Sequence, residues 1–405
     1  MANHKNNSTW ATIIAPVVVL LSTAPSLAQQ SDDEGGFQAN VGLHFDRNNN
    51  IYESSTQEVE SWITRVSPDL LLSSTPGKRQ FSAQYVGDYG KFLDGLDSAD
   101  DYADHSLTGR GLFMMGSRGA LDVSAVFARG HEDRGSGQTQ GVPPSSPLFP
   151  DEPDVFERID WTTQYTHGGT GARGRLDFGI GESALEYSNN LERTQFFDRR
   201  DSYAFVGLTI GAQERLAFLV QARYTDTVYD VDRPGEQSLE GDNWRALVGF
   251  TWEATGKTEG SIRFGSQRRN FDDPGQEAQT TATWDIAVRW SPREYSYFDF
   301  DTTRENKETT GGGSFIDRSS YGVSWTYEWP IGLESVLRWD RQDDDFVGTN
   351  RKEDRSETYF GLRLPRGERV LWEAGVSRRS RTSAIAVLEF EGMVYTIGVN
   401  FQLAR

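Results

Sequence analysis

From residue 37 to the end of the chain, apolar side chains return at every second position. In "MVYTIGVNFQL", Met393, Tyr395, Ile397, Val399, Phe401 and Leu403 share one face, and Thr396, Asn400 and Gln402 share the other. In "WRALVGFTWE", Trp244, Val248, Phe250 and Trp252 oppose Arg245, Gly249, Thr251 and Glu253. "YGVSWTYEW" sets Tyr321, Val323, Trp325 and Trp329 against Ser324, Thr326 and Glu328, and "RLAFLVQARYT" sets Phe218, Val220 and Tyr224 against Arg215, Gln221 and Arg223. In "SYFDFDTTRE", Phe298 and Phe300 alternate with Tyr297, Asp299 and Asp301. Only an extended strand sends successive side chains to opposite sides. The pattern repeats about eighteen times, and nothing in the chain supplies a second layer for so many apolar faces.

The connections alternate in kind. Short ones such as "GSRG" at 116, "GAQE" at 211, "SPRE" at 291 and "PRGE" at 365 suit tight hairpins. Long polar ones follow, such as "LDGLDSADDYAD" at 93 and "DDDFVGTNRKEDR" at 343. Short turns on one end, long loops on the other, an even strand count and strands of about 10 to 15 residues describe an all-β, closed antiparallel transmembrane barrel. About 18 strands are expected, from 37–45 to 390–403, with 16 as the other possibility. Closure is required because an open sheet edge in lipid leaves backbone groups without partners, at several kcal/mol each. The apolar faces then touch lipid. Trp244, Trp252, Trp290, Phe298, Phe300, Trp325, Trp329, Trp372 and Phe401 are the expected lipid-facing and girdle side chains. The rival architecture, a soluble sandwich or propeller, does not segregate short and long connections this way, and no blade motif repeats.

The chain has 11 Trp, 15 Tyr, 23 Phe and 41 Gly, a profile of strands and turns, and no Cys, which removes disulfides, thiol nucleophiles and thiolate metal sites. Lys5, the apolar "WATIIAPVVVLLSTA" and the small residues of "SLA" read as a signal peptide, 1–28, cut after Ala28. A short periplasmic segment, 29–36, precedes the barrel, 37–405. The mature part holds 40 basic and 60 acidic side chains, a net charge of −20, which disfavours nucleic acid as a partner. Outer-membrane lipid, lipopolysaccharide and the barrel-assembly machinery are the expected partners. The location that follows is the outer membrane of a Gram-negative bacterium.

Two stretches resemble the β-barrel porin type 2 family of Gram-negative outer-membrane proteins. One is "VGLHFDRNNNIYES". The other is "RWSPREYSYFDFDTTRENKETTGGGSFIDRSSYGVSWTYEW", with a strand, a Ser-Pro-Arg turn, an aromatic-acid strand, a Gly-rich loop and an aromatic return strand. The resemblance implies a link to exopolysaccharide or capsule biosynthesis, and polysaccharide export proteins as partners. Outer-membrane barrels usually end on an aromatic residue; here Phe401 is followed by "QLAR".

The polar parity collects candidate pore-lining residues: Arg215, Arg223, Arg245, Arg263, Arg289, Arg338 and Arg363, with Asp177, Glu253, Asp285, Asp299, Asp301, Asp340, Tyr297 and Tyr359. Segregated across a pore, such charges would order water and tune selectivity. Paired across strands, they would satisfy each other. The stretch 131–155, with five Pro, either folds inward or projects as a surface. "DSADDYAD" and "DDD" at 343–345 are read as solvated acidic loops, with a divalent cation as the alternative. His44, His105, His131 and His167 accompany no HExxH and no GxSxG. No catalytic residue and no cofactor is assigned. Three functions remain in order: a passive conduit, a plugged scaffold or binding barrel, and an outer-membrane hydrolase.

Overall fold

The computed structural model describes residues 35–93, 98–169, 172–213, 215–253, 257–309 and 311–404. The expected signal peptide lies outside the described residues.

Eighteen strands follow one another: β1 (Gly36–Asn48), β2 (Ser61–Ser73), β3 (Arg79–Phe92), β4 (Tyr102–Met115), β5 (Gly119–Glu132), β6 (Asp154–His167), β7 (Gly174–Tyr187), β8 (Arg199–Gln213), β9 (Leu216–Tyr229), β10 (Gly241–Glu253), β11 (Thr258–Arg269), β12 (Gln279–Arg293), β13 (Ser296–Lys307), β14 (Ile316–Glu328), β15 (Glu334–Phe346), β16 (Lys352–Arg366), β17 (Val370–Ser383) and β18 (Phe390–Ala404). Each pairs antiparallel with the next. β1 pairs with β18 from Ala39↔Ala404 to Asn48↔Val394, so the sheet closes on itself. The count is eighteen. Most connections after odd strands are long, as at 49–60, 133–153 and 188–198, shrinking to five residues at 347–351, and those after even strands are short, as at 116–118 and 294–295. At the first of these turns Gly116 holds φ at 73°, a conformation that favours glycine.

A closed sheet has one concave face. Contacts that skip a strand identify it, because side chains converge only on the concave side. Arg245 on β10 donates from Nε to Thr283 Oγ1 on β12 at 2.9 Å, and Arg263 on β11 donates to Gln221 on β9 at 3.2 Å. Asn306 on β13 reaches Asn243 on β10 at 3.4 Å. Five of the six belong to the polar parity; Asn306 shares the parity of Phe298 and Phe300 and reaches inward near the end of β13. The apolar parity is therefore outside, and its side chains are open there: Val248 is 58% exposed, Trp244 54% and Ile397 64%. The protein is inside-out relative to a soluble one. Among its most buried side chains are Arg269, Arg381 and Gln267.

Of the expected girdle residues, Trp244, Trp290, Phe300, Trp325, Trp329 and Trp372 are exposed on the apolar parity. Phe298 is half-buried because it stacks between Trp290, Phe300 and Trp325. Trp252 and Phe401 are also half-buried. The chain does not leave the sheet after Phe401. Gln402 to Ala404 continue β18, and Leu403, 62% exposed, extends the apolar row.

The strands overshoot the membrane. A strand of 14 residues spans about 46 Å, or about 35 Å along the barrel axis at a 40° tilt. The apolar band of such barrels is about 25 Å tall. The surplus appears at the long-loop end, where the outward parity turns charged: Arg47–Glu60 at 2.9 Å, Arg304–Asp317 at 2.6 Å, Lys352–Asp345 at 2.7 Å and Arg378–Glu391 at 3.1 Å.

The reading of 343–345 as a loop is corrected here: Asp343, Asp344 and Asp345 belong to β15. Asp344 points inward to Arg318, and its two neighbours point outward to Arg341 and Lys352. Each carboxylate has a cationic partner. Among the described residues no group of three or more His, Asp or Glu is arranged to hold a metal ion.

Candidate pore and its mouth

The inward face is a lattice of local charge pairs. Arg263 meets Asp285 at 2.8 Å and Arg289 meets Asp299 at 2.6 Å, each across neighbouring strands. Arg338 meets Asp340 at 2.6 Å along one strand, and Arg175 meets Asp177 at 3.1 Å in the same way. Arg363 bridges Glu334 at 3.0 Å and Glu373 at 3.2 Å, and Glu373 also meets His44 at 3.4 Å. The pairs form between near neighbours on the wall, so they do not build opposed positive and negative walls.

Two arginines stand outside this lattice. Arg223 and Arg245 lie directly opposite each other on β9 and β10, and among the described residues neither has a carboxylate within ion-pair distance. The Arg223 guanidinium lies 3.8 Å from the centre of the Tyr203 ring.

The other assigned residues fall as follows. Tyr297 lies beneath the Arg289 guanidinium, 5.0 Å from it. Tyr359 lies flat against the wall over Gly361 and Gly375, which face each other on β16 and β17; a Cβ on Gly361 would stand 2.6 Å from Tyr359 Cζ, and one on Gly375 2.7 Å from its Cε2. Asp301 faces Gly322, and Glu253 ends β10, exposed. Arg215 does not stand on the wall. It occupies the turn before β9, where its carbonyl accepts from the Glu253 N–H, because the strand starts one residue later than the alternation alone indicates.

The mouth at the long-loop end is crossed by residues 133–153. Near its start, Arg134 donates from Nε and Nη2 to Asp100 at 2.7 and 2.6 Å, and from Nη2 to the Tyr52 hydroxyl at 2.8 Å. The guanidinium also packs against the Tyr52 and Phe149 rings, 5.1 and 5.3 Å from their centroids, and the two rings meet edge to face 5.0 Å apart. All three polar partners are buried. This joins the first three long connections. Midway, the Gln140 amide donates to both oxygens of Glu353 at 3.1 and 3.0 Å, while Arg351 donates to the Gln140 carbonyl at 3.0 Å and to Gly311 O at 3.1 Å. Glu353 is on β16, seven places around the ring from β5 and eight from β6; nine is half the circumference. The segment therefore folds inward and spans the opening, settling the alternative the sequence left open. At the side, burial pushes the Asp198 carboxyl up, against the Tyr187 N–H it accepts at 2.7 Å.

Tyr52, Asp100, Arg134, Gln140, Arg351 and Glu353 were not legible in the sequence as a set. They lie on five connections and strands, and the length and proline content of 131–155 are the only signal that points to them. Among the described residues, the hydrogen bonds of the histidines go to carboxylates and tyrosine hydroxyls. His131 sits between Asp104 at 2.9 Å and Asp133 at 3.1 Å, stacked on Tyr102, and His105 faces outward against Tyr85.

Residues 35–403 match the family described as "Putative beta-barrel porin 2". Among solved structures, a BenF-like porin from Pseudomonas fluorescens Pf-5 is similar in fold: 14% identical, with 92% of this chain and 100% of that one covered and a TM-score of 0.50. OccK11 (OpdR) of Pseudomonas aeruginosa is 15% identical over 92% of this chain and 98% of its own, with a TM-score of 0.49. No curated protein matches. The family match runs over the whole closed sheet, so this chain belongs to the β-barrel porin 2 family, a family of outer-membrane channels rather than enzymes.

Proposed function

We propose that the protein is a passive, water-filled conduit of the outer membrane for polar solutes, and that its cargo is a saccharide chain linked to exopolysaccharide or capsule biosynthesis. The observation that carries the conduit is the enclosed face: a ring of charged and hydroxyl-bearing side chains needs water, and among the described residues a strap crosses the opening at the long-loop end alone. Lumen Arg, Asp and Tyr side chains offer weak, repeated contacts along which a sugar slides without being trapped, since conduction fails when binding is too tight. No cofactor takes part. Sec export, cleavage after Ala28, recognition of β18 by the assembly machinery and contact of the charged outer rim with lipopolysaccharide complete the reading. So do polysaccharide export proteins as partners.

Single-channel recording in planar bilayers tests it. Stable ohmic steps, with current interruptions on adding an oligosaccharide, support the conduit. A second reading rests on the strap: its buried anchors suit a plugged barrel that scaffolds polysaccharide machinery. Silent membranes with correctly folded protein would favour that reading.

A further inference from the structure

Mid-height on the inner wall, the charge lattice leaves two cations over. Arg223 is the eighth residue of the fourteen in β9, and Arg245 is its directly opposed partner on β10. Like charges facing each other across strands destabilise a sheet unless something lies between them. The acids around them are already committed. Asp201 is held by Arg199 at 3.4 Å and by Thr227, Asp285 by Arg263 at 2.8 Å, and Glu305 by Lys307 at 2.9 Å. Neither arginine is spent on these. Arg223 uses Nε on Thr225 Oγ1 at 3.3 Å, and Arg245 uses Nε on Thr283 Oγ1 at 2.9 Å and Nη2 on the Trp284 carbonyl at 3.4 Å. Among the described residues, both Nη atoms of Arg223 and Nη1 of Arg245 keep their donors, in a chain that carries an excess of acid.

The surroundings are sorted by chemistry. Tyr203 lies against the Arg223 guanidinium and Phe205 faces Arg223 from β8, so one side of the pair is aromatic. Gln267 faces Arg245 from β11 but is buried, its amide bonded to Thr281 and to the Asn306 N–H, and Thr225 and Thr283 fix the two guanidinium planes, so the other side holds the arginines in place. Guanidinium groups take carboxylates through paired, charge-assisted hydrogen bonds. Aromatic faces take the apolar face of a sugar ring.

We infer that Arg223 and Arg245 form a subsite for the carboxylate of an acidic saccharide unit, a uronic acid, with Tyr203 and Phe205 beside the ring. The subsite refines the conduit reading by giving its cargo a charge, but it binds whether or not the barrel conducts. The two unmatched cations make this height of the wall locally positive and give a negatively charged chain one place to dwell.

Calorimetric titration of the full-length barrel in detergent at low salt tests it, with galacturonate trimer, maltotriose and acetate as probes. The trimer is expected to bind, and the Arg223→Gln and Arg245→Gln variants to weaken it about tenfold each, the order expected for one lost hydrogen bond to a charged group. Arg→Lys should restore part of the loss. Neither variant should lower thermal stability, since each relieves a like-charge contact; a purely structural arginine would behave oppositely. Equal binding of trimer and maltotriose, or unchanged trimer binding in both variants, overturns the subsite. Acetate binding as tightly as the trimer overturns the saccharide part. Bilayer recordings on the same samples keep the two ideas apart. Arginine-dependent binding with silent membranes sinks only the conduit, and ohmic steps without arginine-dependent binding sink only the subsite.

Discussion

Gln140 and Glu353 are held together at 3.0 Å, although the strands that flank Gln140 and the one that carries Glu353 stand nearly half a circumference apart. The contact turns a long connection into a bar across the opening. Its strength is modest: a hydrogen bond to a charged group is worth about 1.5–3 kcal/mol. Gln140→Ala should therefore raise the fraction of time the bar is swung aside by about tenfold or more. Single-channel traces should show larger or noisier openings. Unchanged conductance and noise would mean that the bar leaves the current path free.

Arg134 is the other fixed point. It is buried with Asp100, and removing one member of a buried pair costs about 3–5 kcal/mol because the remaining charge is stranded. Arg134→Ala should expose 133–153 to proteinase K added to proteoliposomes, while the barrel itself stays folded. Arg134→Lys should fail to rescue, since an ammonium group cannot span Asp100, Tyr52 and Pro150 O together. Equal protection of variant and parent would remove the anchor from the account.

The outer surface has a height scale. Val248→Arg places a charge in the middle of the apolar band and should cost about 2–4 kcal/mol in urea unfolding from lipid vesicles. Thr382→Arg, on the same parity beside Asp354 at the rim, should cost about 0–1 kcal/mol. Equal costs at the two positions would contradict the orientation of the faces.

Tyr359 depends on two missing methyl groups. Gly361→Ala brings a Cβ within van der Waals overlap of the ring and should destabilise by about 1–3 kcal/mol. Combining it with Tyr359→Ala should relieve most of that cost, a coupling that a double-mutant cycle measures. Additive losses would show that the ring does not lie where it is placed.

The alternation of Phe298, Asp299, Phe300 and Asp301 was enough to assign faces, because a strand has only two and lipid selects between them. The strand count followed from the regular spacing of turns. The mouth did not follow. Arg134 meets Asp100 and Tyr52 through three separate connections, and Gln140 meets Glu353 at a separation of 213 residues. No periodicity carries such contacts; they depend on where the loops fall after closure. Arg215 was misplaced and the Asp343–Asp345 run was taken for loop for one reason: strand ends shift by a few residues, and a charged residue near an end fits either side of the boundary. The Arg223–Arg245 pair was visible as two arginines of the right parity, but its isolation appears only when every neighbouring carboxylate has been matched to a partner.

The pairing of the first strand with the last has a consequence for how the barrel comes into being. β1 forms early and has β2 on one side, but its other edge stays raw until β18 arrives, more than three hundred residues later. Throughout that interval the growing sheet carries two sticky margins, each able to zip onto a stranger. The final step is a seam, and nothing within the chain can make it before β18 exists. A nascent barrel of this design must be kept under guard until it is complete, and a chain cut short within β18 should be lost to aggregation rather than left as a smaller working pore.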